Sequence, residues 1–169
     1  MTSTGSVFSG NPDSTKAAVI DKNGTDGEIS VLAVDDDSDL LELTKTFLER
    51  EDQRFTVTTA QSPSEALSKL DPGEIEAIVS DYDMPRKNGL EFLEEVRAMS
   101  PDLPFILFTG KGSEEIASEA ITQGVTDYLQ KETKSSQYSV LANRISNSVE
   151  QYRMKKTLER SEQKFSKLI

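Results

Sequence analysis

Five side chains stand out in this sequence because their types, and their places at the ends of short apolar runs, suit them to chemistry. Asp35 and Asp36 directly follow Ile29-Ser-Val-Leu-Ala-Val34, and Asp81 follows the run 75–80 and opens Asp81-Tyr82-Asp83-Met84-Pro85. Thr109 closes Pro104-Phe-Ile-Leu-Phe-Thr109, and Lys131 stands just beyond the run 125–129. Carboxylates brought together without a counterion repel one another, so a group of three calls for a divalent cation. The chain contains no His, Cys or Trp. Oxygen donors without imidazole or thiolate point to Mg²⁺ or Mn²⁺ rather than zinc. The same absences exclude a Ser-His triad, a histidine base, a thiol nucleophile and a disulfide framework. Each residue also has an ordinary structural reading. An Asp after a strand is commonly a turn former or helix cap, which is how Asp37 is read, a Thr at a strand end is β-branched filler, and Lys131 is a surface charge. What separates the two readings is whether the chain brings the five together.

The surrounding pattern supplies elements that do so. Residues 29–34 read as a strand, and Ser38 can cap a helix whose Leu40, Leu41, Leu43, Phe47 and Leu48 share one stripe. Phe55 to Ala60 is a second strand. Ser62-Pro63-Ser64-Glu65 is a capping box with Pro at the first helical position, and that helix ends at Asp71-Pro72-Gly73. Residues 75–80 form a third strand, 89–99 a helix carrying Leu90, Phe92, Leu93 and Val96, and 104–109 a fourth strand. Ser113 caps a helix with Ile116, Ala117, Ala120 and Ile121, Gly124 stops it, 125–129 is a fifth strand, and a last helix begins near Ser136.

Five strands alternating with five helices predict an α/β fold, a doubly wound parallel sheet of right-handed βαβ units covered on both faces. Such sheets place their working site at the carboxyl ends of the strands. The five residues sit at four such ends, so they converge, and convergence favours the functional reading.

The combination Val34-Asp35-Asp36, Asp81-Tyr-Asp-Met-Pro85 with Gly89, Thr109-Gly110, and Tyr128 with Lys131 resembles the receiver domain of two-component response regulators over about residues 30–150. The resemblance implies a flavodoxin-like sheet of order 2-1-3-4-5 with an extended last helix. It implies Asp81 as phosphoacceptor, with Mg²⁺ (or Mn²⁺) held by Asp36 directly, by Asp35 through water, by Asp81 and by the backbone carbonyl of Asp83. Thr109 would bond the phosphoryl group, Lys131 would pair with it, and Thr109 and Tyr128 would form a switch acting on the fourth helix, fifth strand and fifth helix. The implied partner is a histidine kinase or phosphotransfer protein. The implied activity is self-catalysed phosphoryl transfer to Asp81 and hydrolysis from it, not enzymology in the usual sense. An Asp carboxylate suffices as nucleophile for in-line phosphoryl transfer, where positioning and charge stabilisation do most of the catalysis. Glu132 follows Lys131 where the family usually has Pro, so a trans bond or a differently placed loop is expected.

Two other classes remain open from the sequence. Asp81 and Asp83 match the nucleophile and acid/base pair of a haloacid-dehalogenase-like phosphatase, although there the paired aspartates come first, and Pro85 stands where Thr or Val is usual. A degenerate receiver acting only as a binding module is the other.

Charge is unevenly spread: −2 over residues 1–29, −14 over 30–133 and +5 over 134–169, within a net charge of −11. Acidity argues against direct binding of nucleic acid, and no apolar run is long enough to span a membrane. A cytoplasmic protein is expected. Residues 1–28 have the composition of a disordered arm in which only Ala17-Ala18-Val19-Ile20 is apolar. Residues 29–150 are read as the receiver and 151–169 as a helical linker. Leu141, Ile145, Val149 and Tyr152 form one helical stripe, and apolar residues resume at Leu158, Phe165 and Leu168, which suits pairing with a second copy. The segment from Ser161 to Ile169 resembles the opening of a PAS domain, so a fragment of a larger protein with a PAS or kinase module downstream is expected. The acidic excess, with Thr109-Gly110-Lys111-Gly112-Ser113 and Asp127-Tyr-Leu-Gln-Lys131, is similar to receivers of halophilic archaea.

Overall fold

The computed structural model describes residues 27–71 and 73–168. Residues 1–26, with the apolar patch Ala17–Ile20, as well as Pro72 and Ile169, lie outside the described residues. Five strands, β1 (Ile29–Val34), β2 (Phe55–Ala60), β3 (Ala77–Ser80), β4 (Phe105–Thr109) and β5 (Asp127–Gln130), form one parallel sheet in the order β2-β1-β3-β4-β5. The helices are α1 (Ser38–Glu51), α2 (Pro63–Lys69), α3 (Gly89–Met99), α4 (Glu114–Thr122) and α5 (Gln137–Leu168). This is the expected order and count.

Alternation along the central strands divides the core in two. Ile29, Val31, Ala33, Ala77, Val79, Ile106 and Phe108 point to the face covered by α1 and α5, where Leu41, Leu48, Tyr138, Leu141, Ile145 and Val149 are buried. Leu32, Val34, Ile78, Phe105 and Leu107 point to the face covered by α2, α3 and α4. Every residue of β3 and β4 is buried, as expected of strands covered on both sides. Tyr152, at the far end of the α5 stripe, reaches into the second core and roots α5 in both.

Local chemistry accounts for the differences from the sequence reading. Of the two caps read from the sequence for α1, Asp37 serves and Ser38 does not: the Asp37 carboxylate accepts from the N–H groups of Asp39 and Leu40, and Ser38 is the first helical residue. Strand β3 starts at Ala77 rather than residue 75, because the N–H of Ile75 is used in the turn at Asp71. Ile75 is buried all the same, so its apolar character serves the core and not a ladder. Strand β5 starts at Asp127 rather than 125, because α4 ends in a Schellman motif: Gly124, at φ +90°, donates to the Ile121 carbonyl and Val125 to that of Ala120.

The outer edge of β2 is covered by side chains. Lys45 donates to the Val57 carbonyl at 2.6 Å, Glu49 accepts from the Val57 N–H at 2.9 Å, and Lys69 donates to the Thr59 carbonyl at 2.7 Å. At the β5 edge, Asp127 accepts from the Tyr128 N–H and pairs with Arg144. No described helix is long and apolar enough to cross a membrane.

Candidate functional site

Parallel pairing brings Val34 level with Ser80 and Ser80 level with Leu107, so the chain leaves β1 and β3 at the same end of the sheet. The N–H of Asp81 donates to the Val34 carbonyl, which fixes the height of its side chain beside Asp35. Asp35, Asp36 and Asp81 each offer a carboxylate oxygen within 4.8 Å of the others. Asp35 is buried, Asp81 half-buried and Asp36 exposed.

Lys131 joins them. Its N–H donates to the Thr109 carbonyl, and its ammonium lies 2.7 Å from Asp35 Oδ2 and 3.7 Å from Asp81 Oδ1. The ammonium also stands 5.6 Å from the centroid of the Phe108 ring. The bond to Glu132 is trans, and the Glu132 N–H is taken by Gln137 at the start of α5. The missing Pro therefore does not keep Lys131 from the site. Asp35 is further held by the N–H of Asp37 at 3.0 Å. With Asp35 engaged in this way, the freer oxygen donors are those of Asp36 and Asp81. An all-oxygen set of this spacing fits a small hard cation.

Burial pushes the Asp81 carboxyl above the ordinary Asp range. The Lys131 ammonium opposes that, Asp35 adds to it, and the Thr109 hydroxyl and the Tyr82 backbone N–H favour the anion. Thr109 is fully buried, and its hydroxyl accepts from the Lys111 N–H at 3.1 Å. Gly110 above it is open: an added Cβ would find only the Lys131 Cβ, at 4.0 Å.

The loop after Asp81 turns sharply. Arg86 has φ +72°, and Lys87 donates to the Pro85 carbonyl across it. Asn88 and Glu91 then form a reciprocal capping box that starts α3. Gly89 permits the return, since a Cβ there would strike the Asp81 carbonyl and approach Leu107 Cδ1 to 2.8 Å. The capping box was readable in Asn88-x-x-Glu91; the close approach at Gly89 was not. The Asp83 side chain points elsewhere, exposed and 3.4 Å from Lys111. That disfavours Asp83 as the acid/base of a phosphatase pair.

Tyr128 packs its ring against the core on the α4 side. Its hydroxyl is buried with no hydrogen-bond partner among the described residues and rests against Gly112, where a Cβ would collide with it. Gly112 is the feature of the site that the sequence reading missed. Only its place in Gly110-Lys-Gly112, next to Thr109, hinted at it.

A family model, the response regulator receiver domain, matches residues 31–143. Response regulator SaeR of Staphylococcus aureus is 37% identical over 101 residues, covering 60% of this chain and 43% of the relative. The chain thus matches less than half the length of that curated relative. A receiver domain protein from Clostridium thermocellum superposes with a TM-score of 0.67 at 27% identity, covering 75% of this chain and 98% of the other. A CheY-like receiver domain protein from Methanospirillum hungatei gives 0.67 at 25% identity, over 76% and 98%. Fold, converging residues and family match agree, and the chain belongs to the response regulator receiver domain family.

Proposed function

We propose that this receiver accepts a phosphoryl group on the Asp81 carboxylate from the phosphohistidine of a kinase or phosphotransfer protein. The supporting observation is the convergence of Asp35, Asp36 and Asp81 with Lys131 and Thr109 at one end of the sheet. A carboxylate oxygen of Asp81 bonds to phosphorus as the phosphorus–nitrogen bond of the donor breaks. Lys131 pairs with the incoming charge, and the Thr109 hydroxyl hydrogen-bonds it. Asp36, Asp81 and the backbone carbonyl of Asp83 would hold Mg²⁺, with Asp35 acting through water. The ion supplies charge neutralisation between two anions.

On this reading the signal leaves through Thr109 and Tyr128 to α4, β5 and α5. The Tyr128 ring lies inward with an unsatisfied hydroxyl, at a cost of about 1–3 kcal/mol relative to a hydrated one. A charge-assisted bond drawing Thr109 toward a phosphoryl oxygen is of similar size, so it is large enough to bias the seating of the Tyr128 ring.

The division into an arm (1–28), a receiver (29–150) and a linker (151–169) toward a PAS or kinase module, the cytoplasmic setting and the salt-loving archaeal source belong to the same proposal. Their support is compositional and the short resemblance at Ser161–Ile169. Melting temperature against KCl checks the source, since a salt-adapted chain gains stability toward molar salt.

The deciding experiment treats wild type and Asp81→Asn with acetyl phosphate and Mg²⁺ and measures intact mass. Wild type should gain one base-labile phosphoryl group and Asp81→Asn none. Equal labelling of both would refute the assignment.

A further inference from the structure

Helix α5 changes partners along its length. Up to Tyr152 its buried stripe faces the domain, and Arg153 ties it down, with paired bonds of 2.6 Å to Glu76 and one to the Glu28 carbonyl. Past that point the helix continues to Leu168. Met154, Leu158 and Phe165 are 70%, 60% and 65% exposed, although they are among the most apolar residues of the segment.

Their spacing is not that of scattered surface residues. Met154, Leu158, Ser161 and Phe165 follow intervals of four, three and four, the heptad repeat of a coiled-coil seam. At 100° per residue they fall within about 60° of arc, on the side of the helix opposite the Leu141–Ile145–Tyr152 stripe. The seam therefore faces away from the domain, which leaves room for another helix. A cavity of about 640 Å³ flanks its root, lined by Arg54, Glu150, Met154, Leu158 and Ser161. An isolated helix of about 15 residues is marginal in water, so a helix of this length and patterning calls for a companion.

We propose that the companion is the same segment of a second copy, in a parallel two-stranded coiled coil whose core layers are Met154, Leu158, Ser161 and Phe165. Charge supports this occupant. In the parallel register Glu150 of one copy flanks the seam beside Lys155 of the other, twice by symmetry. Parallel pairing also sets Ser161 against Ser161, so that hydroxyl meets hydroxyl, whereas an antiparallel seam would bury Ser161 against Leu158. In the single chain Lys155 reaches Asp102 at 2.8 Å. That contact is exposed on both sides and is readily exchanged. The pairing is independent of the chemistry at Asp81.

Because the chain has no cysteine, single cysteines report the geometry cleanly. The full 169-residue chain should sediment at twice its monomer mass at high micromolar concentration, and Leu158→Asp at the monomer mass with an unchanged fold by circular dichroism. Under mild oxidation Ser161→Cys should form a covalent dimer at least ten times faster than Gln163→Cys, which sits on the opposite side of the helix. Removal of residues 1–26 should leave the dimer intact. A monomeric wild type, a dimer that survives Leu158→Asp, equal cross-linking at 161 and 163, or loss of the dimer on removal of residues 1–26 would each overturn the proposal.

Discussion

The two ends of the sheet are covered by helices held in different ways. On the β2–β1 side, α1 buries Leu41, Thr44 and Leu48, and Phe47 stacks on Tyr138 of α5 at 5.0 Å. A polar line reinforces that contact: Ser139 donates to Glu51, and Arg54 and Ser146 share Asp52. On the β4–β5 side, α4 fully buries only Ala120, and Ile121 lies 70% exposed. Instead α4 is tied at its ends, by the Ser113 cap and by the Gly124 carbonyl, which accepts from the Arg97 guanidinium at 2.8 Å. The same guanidinium reaches the carbonyls of Ser100 and Leu103. Parts of a protein that move are drawn from its least stable regions. The loosely covered helix is also the one next to Thr109, Gly112 and Tyr128, while the firmly covered side carries the root of α5.

One substitution made on both sides tests this most directly. Ile145→Ala removes a fully buried side chain from the α1–α5 layer and should cost about 2–5 kcal/mol in urea unfolding. Ile116→Ala on α4, where the side chain is only partly buried, should cost about 1 kcal/mol. Equal losses would erase the contrast.

Gly112→Ala should have a smaller effect on global stability but a sharper local one. The new methyl takes the place of the Tyr128 hydroxyl and drives the ring outward. Relief of the orphaned hydroxyl offsets part of the lost packing, leaving a net change within about 1–2 kcal/mol. Amide exchange should quicken along α4 and not along α1. An unmoved Tyr128 ring by NMR would show that α4 and Tyr128 are not linked in this way.

The smallest effect belongs to the firm side. The Arg54 side chain, bonded to the Asp52 carboxylate, holds its pKa below the usual Asp value despite partial burial. A depressed carboxyl stabilises the fold above its unfolded pKa of about 3.9 and loses that contribution as pH falls through the lower folded value. Asp52→Asn should thus lower stability by less than about 1 kcal/mol near neutrality. The gap from wild type should close below about pH 4. A gap that persists at lower pH would mean that Asp52 acts through shape and not charge.

How far the sequence carries can be judged from particular residues. Strands β1 and β2 and helix α3 were legible to the residue, because period and punctuation agree there. Ile75 and Val125 resemble strand residues in the sequence because an apolar residue beside a strand looks the same whether it serves the ladder, a turn or a helix cap. Asp35, Asp36, Asp81, Thr109 and Lys131 were legible as a group, since parallel topology dictates where strand ends meet. The salt bridge from Lys131 to Asp35 and the seating of Tyr128 on Gly112 were not. They depend on side-chain reach across residues far apart in sequence, which no local pattern encodes.

The covered edges of the sheet bear on how this chain behaves when crowded. An open strand edge is a template for another backbone, and growth on it yields amyloid-like fibres that do not come apart. Here the Val57 and Thr59 positions of β2 are occupied by Lys45, Glu49 and Lys69, and the Tyr128 N–H of β5 by Asp127. Association of the folded chain is thereby directed to side chains, and assemblies made through side chains dissolve on dilution. Contacts made through side chains stay reversible at concentrations where exposed strands would polymerise.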